Sequence, residues 1–296
     1  MDRGRYRCWI GDREVTAMKA RELGRGGIVV GDVVRLAGDV SGAPGTLARV
    51  VRVAPRTSAL RRSADDIDPI ERVMIANADQ LIIVTALADP PPRPRLIDRF
   101  LVAAYDAGLE PLLCLTKSDL ADPAELLAAY APLRTAHLVT GAPLTARALD
   151  ALRTAVSGRV SVLVGHSGVG KSTLFNALIP DASRAIGTVS PVTGRGRHTS
   201  SSALALRLPG GGWIIDTPGL RSFGLGHISV ENVIRASPDL AEGAAQCLPG
   251  CGHAEPGCAL DDWVARAGPG GPSAARLDSL RRLLRSREGL DPAESA

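Results

Sequence analysis

The chain has 296 residues, 45% of them hydrophobic, which is enough for roughly two domains or for one domain with appended modules. No apolar run approaches the ~20 residues that span a bilayer, and the Arg-rich first ten residues lack the apolar segment of a signal peptide, so we expect a cytoplasmic protein without membrane contact. The net charge is only +4, but residues 1–65 hold thirteen basic and seven acidic side chains, which favours either contact with a phosphate backbone or a solvated basic surface.

Residues 1–62 have the pattern of a small β domain. Short strands are predicted at 5–10, 14–19, 28–36 and 47–53, with turn-forming sequences rich in Gly, Asp and Pro between them. We expect a compact five-stranded OB-like barrel whose first strand is shortened. Its arginines would bind RNA backbone with a strong salt dependence, and they are Arg3, Arg5, Arg7, Arg13, Arg49, Arg52 and Arg56.

Residues 63–225 follow the alternation of strands and helices that is typical of an α/β domain. After a connection at 55–80, strands are predicted at 81–87, 112–115, 136–140, 160–164, 203–208 and 213–216. Helices are predicted at 96–107, 123–130, 144–156 and 171–179. The Gly-rich turn at 209–212 predicts an antiparallel hairpin at the end of an otherwise parallel sheet. We therefore expect a six-stranded mixed sheet with helices on both faces.

The strongest motif is G-x-x-x-x-G-K-S, which lies between a predicted strand and a predicted helix. Such a loop surrounds a phosphate with backbone N–H groups at a helix N-terminus. The expected nucleotide ligands are Gly165, His166, Ser167, Gly168, Val169, Gly170, Lys171, Ser172 and Thr173. Lys171 would reach the β- and γ-phosphates and be essential for turnover, while Ser172 would bind Mg²⁺.

A second phosphate-side motif, Asp216-Thr217-Pro218-Gly219, ends the predicted hairpin. At this place in a P-loop protein, Asp216 would hold the Mg²⁺ shell and the N–H of Gly219 would sense the γ-phosphate.

Two further loops indicate guanine as the base. Thr116-Lys117-Ser118-Asp119 resembles the N-K-x-D motif of GTPases, in which the carboxylate, here Asp119, accepts hydrogen bonds from guanine N1 and N2. Thr116 replaces the usual Asn and so lacks one amide contact. Thr140-Gly141, after another predicted strand, occupies the position of the second base-contacting loop.

The sequence of residues 226–296 predicts a helical module with a metal site. Cys247, Cys251, His253 and Cys258 lie within one Gly- and Pro-rich segment, and three thiolates with one imidazole form a closed tetrahedral set that suits structural Zn²⁺. Cys8 and Cys114 are better explained as buried strand residues. An amphipathic basic helix near 273–286 either adds an RNA contact or packs, solvated on one side, against the metal module.

The base loop precedes the phosphate loop, whereas ordinary GTPases place it after. The chain resembles the RsgA (YjeQ) family of small-ribosomal-subunit-dependent GTPases, and the resemblance covers essentially its whole length. It rests on this circularly permuted order, on the N-terminal β module and on the segment Gly194-Arg195-Gly196-Arg197-His198-Thr199. A parallel sheet tolerates the permutation because the site is built from loops at the carboxyl ends of the strands. The family also has a Cys, Cys, His, Cys set, although the first and last gaps are shorter here.

The resemblance implies an OB domain, a permuted GTPase domain and a zinc domain. It also implies late maturation of the 30S subunit, contact with 16S rRNA, GTP hydrolysis to GDP stimulated by the subunit, and magnesium bound with GTP. In the first switch segment, Thr199 would bind Mg²⁺ beside His198. Leu220 stands where many GTPases have a water-orienting Gln, so His198 is the candidate catalytic residue. The alternatives are that His198 only contacts RNA or solvent, and that His166 of the phosphate loop, a weaker candidate, takes this role.

The expected state is a monomer, and three alternatives stay open. One is a P-loop ATPase or kinase, which Asp119 disfavours. A second is a nucleotide-gated RNA-binding scaffold without significant catalysis. The third is a permuted GTPase of the large subunit, which the Cys/His cluster and the N-terminal module disfavour.

Overall fold

The computed structural model describes residues 4–23, 27–62, 72–179, 203–217, 228–254, 257–268 and 271–287. The segment 194–199 with His198 and Thr199, and also Gly219 and Leu220, lie outside the described residues.

The N-terminal part forms a four-stranded mixed sheet in the order β1-β2-β4-β3. Its strands are β1 (Arg5–Ile10), β2 (Arg13–Lys19), β3 (Val34–Gly38) and β4 (Ala48–Val53). The β1–β2 and β3–β4 pairs are antiparallel and the β2–β4 pair is parallel. The inward face of this sheet buries Val15, Ala17, Ala48 and Val50 against Ile28.

The third strand is shorter than the predicted 28–36, because the chain turns at Gly31. Gly31 has φ +90°, and a Cβ placed there would lie 1.9 Å from the carbonyl oxygen of Ala76. The carboxylate of Asp32 also accepts a hydrogen bond from the backbone N–H of Val29 at 2.8 Å, which stabilises the turn. The described N-terminal residues thus form four paired strands where the sequence predicted a five-stranded barrel.

The predicted connection at 55–80 contains an additional pair of antiparallel strands, β5 (Ala59–Arg62) and β6 (Arg72–Ala76). Leu60 and Ile75 of this pair are buried in the core on one face of the central six-stranded sheet, which is described below. Strands this short, flanked by arginines, have too few residues for a clear period-two pattern.

The central sheet has six strands, as predicted, and their order is β11-β12-β10-β7-β8-β9. They are β7 (Gln80–Ala86), β8 (Glu110–Thr116), β9 (Ala136–Val139), β10 (Val160–Val164), β11 (Leu204–Arg207) and β12 (Trp213–Asp216). Neighbours are parallel except for the antiparallel β11–β12 hairpin. Every residue of β7 is buried, which explains its continuous apolar run, since both faces of the sheet are covered.

Helices cover both faces of this sheet. They are α1 (Pro94–Asp106), α2 (Ala124–Tyr130), α3 (Ala146–Val156) and α4 (Lys171–Leu178). Helices α1 and α2 contribute Phe100 and Tyr130 to the core on one face. Helices α3 and α4 contribute Leu152 and Phe175 to the core on the other.

The C-terminal part is helical, as predicted. Its helices are α5 (Val230–Arg235), α6 (Pro238–Ala244), α7 (Ala259–Arg266) and α8 (Ala274–Arg287). They bury Val233, Leu240, Leu260 and Leu280 in a separate core, to which α1 contributes Val102. Across the described ranges, no helix has the length and apolar character needed to cross a membrane.

Candidate functional site

The predicted nucleotide-binding residues that the structure describes lie at one edge of the central sheet. They lie at the carboxyl ends of β8, β9, β10 and β12, in the last residues of these strands, in the loops that follow them or in the first turn of α4. In an open α/β sheet this edge forms the ligand-binding crevice. The permuted chain therefore brings together loops that are far apart in sequence.

The phosphate loop connects β10 to α4 and requires its first glycine. Gly165 has φ +141°, and a Cβ there would lie 2.3 Å from the carbonyl oxygen of Val84 on the neighbouring strand. Nζ of Lys171 donates to the carbonyl oxygens of Gly165 at 2.7 Å and His166 at 2.6 Å, so the ammonium group lies against the loop. Ser172 and Thr173 are exposed on the first turn of α4, where backbone N–H groups lack helical partners.

Thr116 connects the base loop to the phosphate loop. Its hydroxyl donates to the carbonyl oxygen of Val169 at 2.7 Å and also lies 3.3 Å from that of Thr85. The side chain is 5% exposed, so the bond is shielded from water. The residue that departs from the usual Asn thus contacts the phosphate loop directly.

The two predicted base-contacting loops pack against each other. Oδ1 of Asp119 accepts a hydrogen bond from the N–H of Ala142 at 2.7 Å, and the N–H of Ser118 donates to the carbonyl oxygen of Thr140 at 3.1 Å. A Cβ at Gly141 would lie 3.2 Å from both Oδ1 of Asp119 and Oγ of Ser118. A larger residue at position 141 would have to displace these side-chain atoms by a few tenths of an ångström, so glycine favours the close approach. The hydrogen bond from Ala142 orients the Asp119 carboxylate.

Asp216 lies close enough to Lys171 for their charges to interact. Burial raises the pKa of the Asp216 carboxyl above its ordinary value, while the positive charge of Lys171 and a hydrogen bond with the backbone of Thr217 act in the opposite direction. The hydroxyl of Thr217 donates to the carbonyl oxygen of Leu163 at 2.9 Å and anchors the end of β12 beside β10. A half-buried carboxylate near the lysine of a phosphate loop is suited to bind the Mg²⁺ that accompanies the phosphates of a nucleotide.

One contributor to this edge was missed by the sequence analysis, namely the Pro-rich segment after β7. Nζ of Lys117 donates to the carbonyl oxygen of Asp89. Cδ of Pro90 lies 3.5 Å from the position that a Cβ on Gly168 would take. The available signal was its place after a buried parallel strand of the same sheet.

The pKa of His166, in the phosphate loop, lies below its ordinary value. Burial lowers its pKa, and the positive charges of Arg93 and Lys171 lower it further, against a hydrogen bond with the backbone of Ser167 that raises it. Nε2 is buried and has no hydrogen-bond partner among the described residues.

The four predicted metal ligands come together in the C-terminal part. The ligand atoms of Cys247, Cys251, His253 and Cys258 all lie within 4.8 Å of one another. A tetrahedral Zn²⁺ with bonds of about 2.0–2.3 Å places its donors roughly 3.3–3.8 Å apart, so only small adjustments are required. Burial lowers the pKa of His253, favouring the neutral imidazole that binds metals, and its buried Nδ1 has no hydrogen-bond partner in the described part of the chain. The donor set therefore fits a soft divalent metal.

The other two cysteines are separate from this cluster. Cys114 is fully buried on β8, and burial raises the pKa of its thiol to about 12. Cys8 on β1 is half-buried, and burial raises its pKa as well.

Comparison with known proteins gives the family of the chain. The sequence model of the RsgA GTPase family matches residues 53–226. A small ribosomal subunit biogenesis GTPase RsgA from Pseudomonas aeruginosa strain PAO1 is 40% identical over 250 residues, which cover 82% of this chain and 72% of the relative. The chain belongs to the RsgA GTPase family. It is therefore a GTPase, and the resemblance seen in the sequence is confirmed.

Other members of the family and solved structures agree with this assignment. The RsgA of Gemmatimonas aurantiaca is 39% identical over 265 residues, covering 86% of this chain and 83% of the relative. YjeQ from Thermotoga maritima superposes with a TM-score of 0.71 at 26% identity, over 94% of this chain and 91% of that one. YloQ, described as a circularly permuted GTPase, has a TM-score of 0.73 at 22% identity over 99% and 94%, which shows a shared fold.

Proposed function

We propose that this RsgA-family GTPase acts in late maturation of the small (30S) ribosomal subunit, binding 16S rRNA and hydrolysing GTP faster when bound to the subunit. The observation that carries the proposal is the match, over most of both chains, to relatives named small ribosomal subunit biogenesis GTPase. Since its partner would be the ribosomal subunit, we place the protein in the cytoplasm and propose that it works as a monomer.

The test is GTP turnover with and without isolated 30S subunits. We expect slow turnover alone and clear stimulation by 30S but not by 50S subunits. Stimulation by 50S subunits would favour the large-subunit alternative, and no turnover under any condition would favour a nucleotide-gated scaffold. Lys171→Ala, which loses the phosphate-loop ammonium, should abolish turnover in every case and serves as the negative control.

We assign roles to the site residues from their positions at the sheet edge. Lys171 would neutralise the β- and γ-phosphates, and Ser172 and Asp216 would bind Mg²⁺ together with Thr199. Asp119 would select guanine. The electrostatic contact of Asp216 with Lys171 supports a shared magnesium–phosphate site. The proposed domain division is 1–62, 63–225 and 226–296.

For hydrolysis, we retain His198 as the group that acts on the attacking water, since Leu220 has no hydrogen-bonding side chain. The experiment is 30S-stimulated turnover of His198→Ala, with GDP affinity as the control for folding. Stimulation that stays near wild type rules out this role.

The N-terminal sheet, which we propose is part of an OB-like barrel, would bind the rRNA through its outward face. Strand alternation places Arg5 and Arg7 of β1, Arg35 of β3 and Arg49 of β4 on the face opposite the buried core. Arg7 is paired with Glu14 at 2.5 Å, which leaves Arg5, Arg35 and Arg49 as the better candidates. The double variant Arg35→Gln, Arg49→Gln should weaken 16S rRNA binding and reduce its salt dependence.

For the metal centre we propose one structural Zn²⁺, bound by Cys247, Cys251, His253 and Cys258. Three thiolates and one imidazole are the donors that zinc prefers, and the four donors make a closed set without an open position. Bound zinc would supply folding free energy to a module with a small core.

A further inference from the structure

The side chain of Arg281, on α8, lies against the metal cluster and contacts three groups around it. Nη2 lies 3.8 Å from Sγ of Cys258, and Nε lies 3.4 Å from the carbonyl oxygen of His253. The guanidinium also forms a two-point ion pair with Asp261, with Nη1–Oδ1 at 2.8 Å and Nη2–Oδ2 at 3.0 Å. The Arg281 side chain is 14% exposed and that of Asp261 is 37% exposed, so the guanidinium is mostly buried while its ion pair is partly open to water.

Asp261 stabilises the turn that carries Cys258, the last of the four metal ligands. Its Oδ2 accepts a hydrogen bond from the N–H of Gly257 at 2.6 Å, one residue before Cys258. Cys258 is the N-cap of α7, so its sulfur position depends on this turn. Arg281 therefore acts on Cys258 directly and also through Asp261.

Through the carbonyl oxygen of His253, Arg281 also contacts a second metal ligand. His253 has φ +58°, in the left-handed region that non-glycine residues rarely adopt. A hydrogen bond to its carbonyl oxygen stabilises this backbone conformation and the direction in which the imidazole leaves the chain. Only a planar fork with several N–H donors can contact sulfur, carbonyl and carboxylate at once.

The charge of the loaded centre favours the same arrangement. A Zn²⁺ ion with three thiolates and a neutral imidazole carries a net charge of −1. A partly buried negative charge is costly unless a positive group pairs with it. The guanidinium of Arg281 is that group at Cys258, and groups next to metal ligands strongly affect metal affinity.

We propose that Arg281 is a positioning residue of the metal centre, which holds Cys258 and His253 in ligand geometry and compensates the net negative charge of the zinc-loaded centre. The proposal rests on the zinc assignment made above. It makes α8 part of the metal centre, so that zinc loss loosens the helix from α7.

The experiment measures zinc affinity and release in the full-length zinc-loaded protein by competition with a chromogenic chelator. Arg281→Gln should weaken zinc binding about 10- to 100-fold and speed its release. Arg281→Lys keeps the positive charge but lacks the planar guanidinium, so its zinc affinity should lie between those of the wild type and Arg281→Gln. The matched control is Arg266→Gln, because Arg266 is exposed on α7 and its Nε donates to the carbonyl oxygen of Asp262 in its own helix. This control should stay within twofold of wild type.

Binding of fluorescent GDP reports whether each variant retains its folded GTPase domain. Wild-type zinc affinity in Arg281→Gln overturns the proposal, as does an equal loss in Arg266→Gln. Should the Gln variant fail to fold, wild-type affinity in Arg281→Lys overturns it instead. A wild-type protein that binds no zinc overturns the zinc assignment itself and this inference with it, an outcome that the zinc content of the wild type distinguishes from the others.

Discussion

Arg276 of α8 donates from Nη1 to Oδ1 of Asp98 of α1 at 3.2 Å, joining the C-terminal helices to the helix layer of the central sheet. The two side chains are only 10% and 4% exposed. The hydroxyl of Ser279 donates to the other carboxylate oxygen of Asp98, and Nε of Arg276 lies 3.6 Å from Oδ2 of Asp239. The contact is thus a buried ionic network that fixes α8 on α1.

Breaking this network should destabilise the protein strongly. Asp98→Ala removes one carboxylate from a buried guanidinium and should lower the free energy of unfolding by about 3 kcal/mol, the lower end for a broken buried pair because Asp239 remains nearby. The control is Asp278→Ala, which removes the partner of Arg282 on the exposed side of α8 and should cost below about 1 kcal/mol. Urea unfolding followed by circular dichroism compares the two, and equal effects would contradict a special role for Asp98.

A second contact joins the N-terminal sheet to the β11–β12 hairpin. The guanidinium carbon of Arg207 lies 5.5 Å from the ring centroid of Trp9 and 5.7 Å from that of Trp213, and the two rings meet edge-on with centroids 5.7 Å apart. Arg207 also pairs with Asp12 at 2.6 Å. Because β12 ends at Asp216, this cluster connects the N-terminal sheet with the strand that carries the proposed magnesium ligand.

Removing Arg207 should loosen this connection without unfolding either part. In a Trp263→Phe background, which leaves Trp9 and Trp213 as reporters, Arg207→Ala should shift the emission to longer wavelength and increase quenching by acrylamide. The stability loss should stay near 1 kcal/mol, because exposed cation–π contacts and ion pairs contribute little. Arg153→Ala on α3, whose Arg is 50% exposed and paired with Asp150, is the control and should leave the emission unchanged.

The sequence predicted best those features that depend on neighbouring residues. The six strands of the central sheet, the β11–β12 hairpin and the helix α4 after the Gly-rich loop all follow from short local patterns. Gly31 shows how a local pattern misleads, because an apolar run suggested a strand that this glycine interrupts. The Asp98–Arg276 pair could not be found in this way, since 178 residues separate its members and either residue alone reads as a surface charge.

The close packing of the second base loop makes a prediction for Gly141. A Cβ there would press on Asp119 and Ser118 at 3.2 Å, which would shift the carboxylate that selects guanine. Gly141→Ala should therefore weaken GDP binding about tenfold, equivalent to ~1.4 kcal/mol. Gly210→Ala is the matched control, since a Cβ there meets only Oγ of Ser157 at 3.8 Å and should leave GDP affinity unchanged. Titration with fluorescent GDP measures both, and wild-type affinity in Gly141→Ala would show that the loop adjusts freely.

Thr116 makes the last prediction, because its hydroxyl bonds to Val169 while Asp119 on the same loop would read the base. Thr116→Val keeps the shape but leaves the buried carbonyl oxygen of Val169 without this donor, at a cost of about 1–3 kcal/mol. We expect GDP release to be faster by roughly tenfold or more, since the phosphate loop loses its hydrogen bond to β8.

Guanine selectivity should persist in Thr116→Val, because the carboxylate of Asp119 and its bond from Ala142 are unchanged. Thr116→Ser restores the hydroxyl and should restore slow release, which separates the hydrogen bond from packing. Stopped-flow release of fluorescent GDP, with competition by GTP and ATP, measures both properties. If the Val and Ser variants release GDP equally fast, the hydroxyl does not hold the phosphate loop; if Val also loses guanine selectivity, Thr116 orients Asp119 as well.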